Sequence, residues 1–137
     1  MTIKETYNYL LQVRILDGKI HNCILQRETL RSCLLPSGIR YDTDKVQVSP
    51  SDQMSEIEAQ VMDLEQKIQH LEAKKKIAIV SITKAIYKLP NENEQTVLME
   101  YYIGKKSVEQ IADGMNISTR GTYYIKRKAI SNISKFL

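Results

Sequence analysis

The stretch that decides the fold of the C-terminal part runs from Ser107 to Ile130 and reads SVEQIADGMNISTRGTYYIKRKAI. Ser107 and Gln110 have the spacing of a capping box, in which the hydroxyl accepts from a free backbone N–H and the Gln side chain reaches back to the Ser amide. Asn116 enters the left-handed backbone region at low cost and so can end this helix, and Ser118 then caps another. Between the first cap and the turn, the inward stripe consists of Val108, Ile111, Ala112 and Met115. The sequence therefore predicts a helix-turn-helix, which favours DNA as the partner.

The second predicted helix has two chemically different sides, because each residue turns the face by about 100°. The side assigned to the core carries Thr122, Ile125, Ala129, Ile133 and Phe136. The opposite side could enter a DNA major groove and carries Thr119, Arg120, Tyr123, Tyr124 and Arg127. Arg can bind guanine edges with two hydrogen bonds, and hydroxyl or apolar groups can contact neighbouring bases. Lys126 and Lys128 flank this side at angles suited to phosphates. Ile130 lies closer to the exposed side than a core residue should, so we expect a partner near the end of the helix.

A charged side with tyrosines is also what a plain solvated helix surface looks like. The distribution of charge favours DNA over that interpretation. The formal net charge is only +4, but residues 104–137 carry seven basic against two acidic residues, which gives +5. Residues 91–103 carry three glutamates and no basic residue, which gives −3. The basic excess therefore lies on the predicted helix-turn-helix, as binding to phosphates requires.

Residues 89–130, LPNENEQTVLMEYYIGKKSVEQIADGMNISTRGTYYIKRKAI, resemble region 4 of bacterial sigma factors and its phage-encoded relatives. The shared features are a Leu-Pro start, an acidic helix ending in Tyr, a Ser-capped helix with Gln, Ile and Ala, and a turn ending in Ile-Ser. The matching positions are Leu89, Pro90, Glu94, Val97, Leu98, Tyr101, Ser107, Gln110, Ile111, Ala112, Ile117, Ser118 and Ala129. Two positions depart from the pattern: Gly114 lies late in the first helix, and Asn116 replaces the more usual turn glycine.

Two apolar stripes precede this segment. The first runs from Tyr9 to Leu34 at alternating spacings of four and three and predicts a helix of about 30 residues. After a linker at about 35–49, Ser49 and Pro50 begin a second helix, whose stripe runs from Ile57 to Leu89. The expected fold is all-α, with residues 1–75 forming a helical or coiled-coil oligomerisation region and residues 76–137 the DNA-binding domain. The stripes could form an antiparallel hairpin within one chain or pair with a second subunit. Narrow apolar seams on long helices are typical of oligomers, and a dimer raises the affinity of a helix-turn-helix for DNA. Both points favour a homodimer through the N-terminal helices.

The sequence contains few of the residue patterns that enzymes, metal-binding proteins or membrane proteins require. The Cys and His residues, at positions 21, 23, 33 and 70, do not have metal-ligand spacing. There is no nucleophile–base pair, carboxylate pair or phosphate loop, so we expect neither an enzyme nor a cofactor or metal ion. The longest apolar run, Ile77 to Val80, is far too short to span a bilayer, and no signal sequence precedes it. A cytoplasmic protein without membrane contact is expected.

The N-terminal half adds to the resemblance. Residues 9–20 (YLLQVRILDGKI), residues 40–54 (RYDTDKVQVSPSDQM) and the helix around Leu64 and Glu65 are similar to a phage-encoded family of small proteins. That family joins a helical front to a sigma-region-4-like end, in the layout of phage late-gene regulators. The resemblance implies a transcription regulator of a phage, prophage or mobile element, acting in the bacterial host cell on double-stranded DNA, with RNA polymerase as a further candidate partner. Two alternatives remain open: a DNA-packaging recognition subunit of the small-terminase type, and a coiled-coil adaptor that contacts RNA polymerase.

Overall fold

A computed structural model describes residues 1–34 and 50–137 of the chain, apart from the side chains of Pro50 and Ser51. All regular structure in these residues is helical, which confirms the expected all-α class. The helices are α1 (Ile3–Leu10), α2 (Gln12–Leu34), α3 (Pro50–Tyr87), α4 (Glu92–Leu98), α5 (Val108–Met115) and α6 (Thr119–Ile133). A π-helical turn, Met99–Ile103, follows α4, and a 3-10 turn, Ser134–Phe136, follows α6. The linker expected at about 35–49 lies outside the described residues.

The first long stripe of the sequence forms α1 and α2, which follow each other almost without interruption. Thr2 caps α1 in a capping box with Glu5, since each backbone N–H donates to the other residue's side chain at 3.1 Å. Leu11, between the two helices, keeps right-handed helical dihedrals. Its N–H donates to the Tyr7 carbonyl at 3.1 Å, and the Ile15 N–H donates to the Leu11 carbonyl at 3.0 Å. The expected helix of about 30 residues is therefore present with a small irregularity near its start.

The described residues divide into two compact units, Met1–Asp17 with Lys74–Leu137 and Gly18–Ala73. This differs from the expected division at the N-terminus, because residues 1–17 pack with the C-terminal helices. Leu10 and Val13 are fully buried in one core cluster with Ile82, Tyr102 and Ile133. Each such side chain gains roughly 1.5–3 kcal/mol from burial. The start of the chain is thus part of the unit that contains α4, α5 and α6.

In the unit of residues 18–73, the apolar stripes of α2 and α3 are buried within one chain. The buried stripe residues are Ile20, Cys23, Val61, Leu64, Ile68 and Leu71. The Arg31 guanidinium pairs with the Glu65 carboxylate between the two helices. Of the two arrangements left open by the sequence, the hairpin within one chain is therefore the one in this unit. The seam expected to hold a second subunit is already occupied.

The core side of α6 agrees with the expected set in part. Thr122, Ala129 and Ile133 are buried, and Ile125 is partly buried. Phe136 is exposed instead, because α6 ends at Ile133 and the following 3-10 turn changes the angle at which later side chains leave the backbone. None of the described helices combines the length and the apolar character needed to cross a bilayer.

Candidate nucleic-acid interface

Helix α5 begins at the predicted capping box. The Gln110 N–H donates to the Ser107 hydroxyl at 3.2 Å, and the Ser107 N–H donates to the Gln110 side-chain oxygen at 3.0 Å. Val108, Ile111 and Ala112 are buried, so the helix packs through the stripe that the sequence indicates. The cap is therefore confirmed, and the predicted inward stripe is confirmed at these three residues, whereas Met115, its fourth member, is only partly buried.

The turn between α5 and α6 has the hydrogen bonds of a Schellman motif. Asn116 adopts the left-handed conformation, with φ 56° and ψ 42°. Its N–H donates to the Asp113 carbonyl at 3.3 Å, and the Ile117 N–H donates to the Ala112 carbonyl at 3.1 Å. The Ser118 hydroxyl then accepts from the Gly121 N–H at 3.0 Å and caps α6. The expected reversal at Asn116 and the second cap at Ser118 are both confirmed, and only three residues separate the helices.

One side of α6 is open to solvent and carries most of the residues that the sequence assigned to DNA. The exposed residues of that set are Thr119, Arg120, Tyr123, Tyr124, Arg127 and Lys128. Among the described residues, no carboxylate forms a salt bridge with Arg120, Arg127 or Lys128. These three charges therefore remain available to an external anion.

The expected placement of Lys126 is corrected by the structure. Its side chain is only 8% exposed, and its ammonium lies 3.8 Å from the centre of the Tyr101 ring. The Tyr7 ring of α1 is 5.7 Å away. The helical repeat of α6 alone places Lys126 on an open side, but α1 packs against that side. Lys126 is therefore withdrawn from the set of phosphate contacts, and for the same reason Ile130 is buried rather than half-exposed.

A buried polar contact fixes α6 on α4. The Glu94 carboxylate is 2% exposed and accepts from the Asn132 side-chain amide at 2.9 and 3.2 Å. Asn91 caps α4 by accepting from the N–H groups of Asn93 and Glu94 at 2.9 and 3.2 Å. The resemblance selected Glu94 without giving it a partner. Asn132 could not be chosen from the sequence, because it lies 38 residues further along the chain.

Arg14 of α2 holds the segment that leads into α5. Its Nε donates to the Tyr101 carbonyl and its Nη2 to the Lys106 carbonyl, both at 3.0 Å. The guanidinium carbon also lies 3.9 Å from the centre of the Tyr101 ring, at cation–π distance. Nothing in the local sequence pattern indicates this contact, which joins residues about 90 positions apart.

Asp17 provides a second anchor for the same segment. Its carboxylate pairs with the Lys105 ammonium at 2.8 Å and with the Lys75 ammonium at 2.5 Å. Burial by itself raises the pKa of Asp17, but the hydrogen bonds and charges of Lys105 and Lys75 outweigh it and hold the pKa below the ordinary value of 3.8. Lys105 is therefore engaged in structure, although it counts toward the basic excess in the sequence.

The backbone at Gly104 explains why the helix stops before α5. The Gly104 N–H donates to the Met99 carbonyl at 2.9 Å, which closes the π-helical turn. A Cβ at Gly104 would lie 2.9 Å from the Glu100 carbonyl oxygen, too close for any other residue without a shift of the backbone. Lys105 then takes a positive φ of 57°. The chain is thereby redirected toward Ser107.

Comparison with known families places residues 34–134 in the family described as a protein of unknown function, DUF1492. The match covers well over half of the chain, so the chain belongs to the DUF1492 family. No curated protein and no solved structure matches the chain. In the described residues, no group of three or more His, Cys, Asp or Glu side chains could hold a metal ion.

Proposed function

We propose that this DUF1492 protein is a sequence-specific DNA-binding transcription regulator of a phage, prophage or mobile element, and that it inserts α6 into the major groove. The main support is the composition of the exposed side of α6. The solvent side of α6 carries three cations, two exposed tyrosines and a threonine. None of the three cations has a carboxylate partner among the described residues. The short turn and the two caps give α5 and α6 the connection typical of a helix-turn-helix, whose second helix reads bases.

The positions on α6 suggest distinct roles for its side chains. Arg120 and Arg127 are seven residues apart, so they leave the helix on nearly the same side and lie about 10.5 Å apart along its axis. That separation corresponds to about three steps of 3.4 Å along one strand. We assign both arginines, with Tyr123 and Tyr124, to base edges, and Lys128 to a phosphate. Thr119 lies in the first turn of α6, where recognition helices commonly meet the DNA.

The homodimer expected from the sequence is part of the proposal, but it needs a different contact. The stripes of α2 and α3 are buried in the chain itself, so they cannot also serve a second subunit. Near its end, α3 exposes Ile77, Val80 and Tyr87, which lie on one side of that helix. We assign the dimer contact to this side. Light scattering should show two chains for the wild type and one for Val80→Glu, whereas a wild-type monomer at micromolar concentration contradicts this assignment.

Salt-dependent binding distinguishes a DNA-binding protein from an adaptor that acts only on RNA polymerase. Fluorescence anisotropy with a labelled duplex of mixed sequence, repeated at several NaCl concentrations, gives the slope of log affinity against log salt. Lys128→Ala should reduce the magnitude of this slope by about 0.9, the value for one phosphate contact in B-DNA. Lys19→Ala, which removes an exposed lysine on α2, serves as the matched control and should leave the slope unchanged.

Two results would contradict the proposal. One is the absence of salt-dependent binding by the wild type, which favours the adaptor function. The other is an equal loss of slope in Lys19→Ala and Lys128→Ala, which indicates general attraction of a basic protein to DNA. A slope reduced only by Lys128→Ala supports contact through α6.

A further inference from the structure

A groove lies between α1 and α6 within the unit of residues 1–17 and 74–137. It has a volume of about 640 Å³, which falls within the roughly 300–1,000 Å³ of typical small-molecule sites. Its lining residues come from both helices and are Ile3, Lys4, Tyr7, Tyr123, Lys126, Arg127 and Ile130. Aliphatic and aromatic side chains form most of these walls. The groove can therefore cover an apolar body of modest size.

One wall of this α1–α6 groove includes Lys126, whose side chain is mostly buried and whose ammonium has no anionic partner among the described residues. The Lys126 side chain is only 8% exposed. Among the described residues, none forms a hydrogen bond or a salt bridge with its ammonium. The Tyr101 ring, 3.8 Å from the ammonium, provides only a cation–π contact. Even partial withdrawal of a charge from water is costly unless the charge is paired. An anion in the groove would supply the missing partner.

The remaining charges of the lining have the same sign. Lys4 and Arg127 add two cationic side chains, and the lining contains no carboxylate. A neutral apolar ligand would leave the Lys126 charge unpaired, and a cation would be repelled. The lining thus combines apolar walls with three positive charges and no negative one, which matches an amphipathic anion.

We propose that the α1–α6 groove binds a small apolar carboxylate, with its anionic group at Lys126 and its apolar body against Ile3, Tyr7 and Ile130. Two lining residues, Tyr123 and Arg127, also belong to the side of α6 assigned to DNA. Occupation of the groove therefore affects base contacts, a consequence that rests on the proposed function. Binding of the carboxylate itself does not depend on DNA.

The test uses two fluorescent probes of similar shape and different charge, in the absence of DNA. The anionic probe is 8-anilinonaphthalene-1-sulfonate, and the neutral probe is N-phenyl-1-naphthylamine. Lys126→Met removes the charge and keeps an unbranched apolar chain. Lys135→Met is the matched control, because that lysine is exposed in the same unit and does not line the groove. Decanoate then serves as the competing carboxylate.

We expect saturable binding of one anionic probe per chain and its displacement by decanoate. Lys126→Met should weaken the anionic probe at least about tenfold, as loss of a hydrogen bond to a charged group implies, while the neutral probe changes less than about threefold. Lys135→Met should bind both probes as the wild type does. Ile3→Asp is a second variant, at a side chain that is 60% exposed and therefore tolerant of substitution, and it should weaken both probes.

Three results would overturn the proposal. The first is that the wild type shows no saturable binding of the anionic probe. The second is that folded Lys126→Met, checked by circular dichroism, binds this probe as tightly as the wild type. The third is that hexaglutamate displaces the probe and decanoate does not, which points to an acidic segment of a protein partner. Because DNA is absent throughout, failure here leaves the proposed DNA binding intact.

Discussion

Replacing Arg14 by Ala should loosen the segment between the π-helical turn and α5. The guanidinium of Arg14 joins α2 to the carbonyls of Tyr101 and Lys106 at 3.0 Å and lies 3.9 Å from the Tyr101 ring centre. Both carbonyls belong to the path that sets the position of Ser107, where α5 begins. A loss of this contact therefore lowers the stability of the unit that carries α6.

The expected cost follows from the surroundings of each contact. A hydrogen bond to a charged group contributes about 1.5–3 kcal/mol when it is shielded from water. The bond to Tyr101 is partly buried, so we count it near the lower end of that range. The bond to Lys106 is exposed and contributes less, and the contact with the ring adds about 0.5–1 kcal/mol. Arg14→Ala should thus lower the free energy of unfolding by about 2–3 kcal/mol.

Arg14→Lys separates charge from geometry. Lysine keeps the positive charge but lacks the planar fork that reaches two carbonyls while stacking on a ring. We expect this variant to lose about 1–2 kcal/mol. Urea unfolding followed by circular dichroism gives both values, with Arg127→Ala as the control, because that arginine is exposed and such surface changes usually stay within about 0.5 kcal/mol. An Arg14→Ala protein as stable as the control, or an Arg14→Lys protein equal to the wild type, would show that the Arg14 guanidinium does not hold this segment.

Three further predictions concern the same unit. Lys105 and Lys75 lower the pKa of Asp17, so its contribution to stability is complete above about pH 5 and is lost as the pH falls past the ordinary value of 3.8 toward the lowered pKa. The stability difference between wild type and Asp17→Asn should therefore shrink as the pH falls from about 5 to 3, and a constant difference contradicts this. Asn132→Ala leaves the Glu94 carboxylate buried without its side-chain donor, so the free energy of unfolding, measured by thermal unfolding, should fall by about 1–3 kcal/mol. A neutral effect would show that the contact does not stabilise α6 on α4. Ser107→Ala should cost about 1 kcal/mol and speed hydrogen exchange of the first α5 amides, while unchanged exchange would show that the cap is dispensable.

The features that the sequence predicted correctly depend on neighbours in the chain. Capping at Ser107 and Ser118 needs partners only three residues away, and the reversal at Asn116 depends on the preference of one residue for a left-handed backbone. The stripes of α2 and α3 follow from the helical repeat alone. Local rules of this kind can be applied without any knowledge of the tertiary fold.

The features that the sequence missed depend on distant contacts. Lys126 and Ile130 belong to the open side of an isolated α6, but α1, more than a hundred residues earlier, packs against that side. Periodicity gives the face on which a residue lies and does not give the element that covers it. The role of Arg14 also depends on distant contacts. Its two acceptors are backbone carbonyls, which leave no mark in the side-chain pattern of the sequence.

The most direct test of DNA reading by α6 is the selection of bound duplexes from random DNA with the wild type and with Arg120→Ala. We expect a defined motif for the wild type. For Arg120→Ala we expect the same motif with one position relaxed and an affinity lowered by about 1–3 kcal/mol. An unchanged motif bound by Arg120→Ala with wild-type affinity would show that Arg120 does not read a base. The absence of any motif for the wild type would show that α6 does not recognise a DNA sequence.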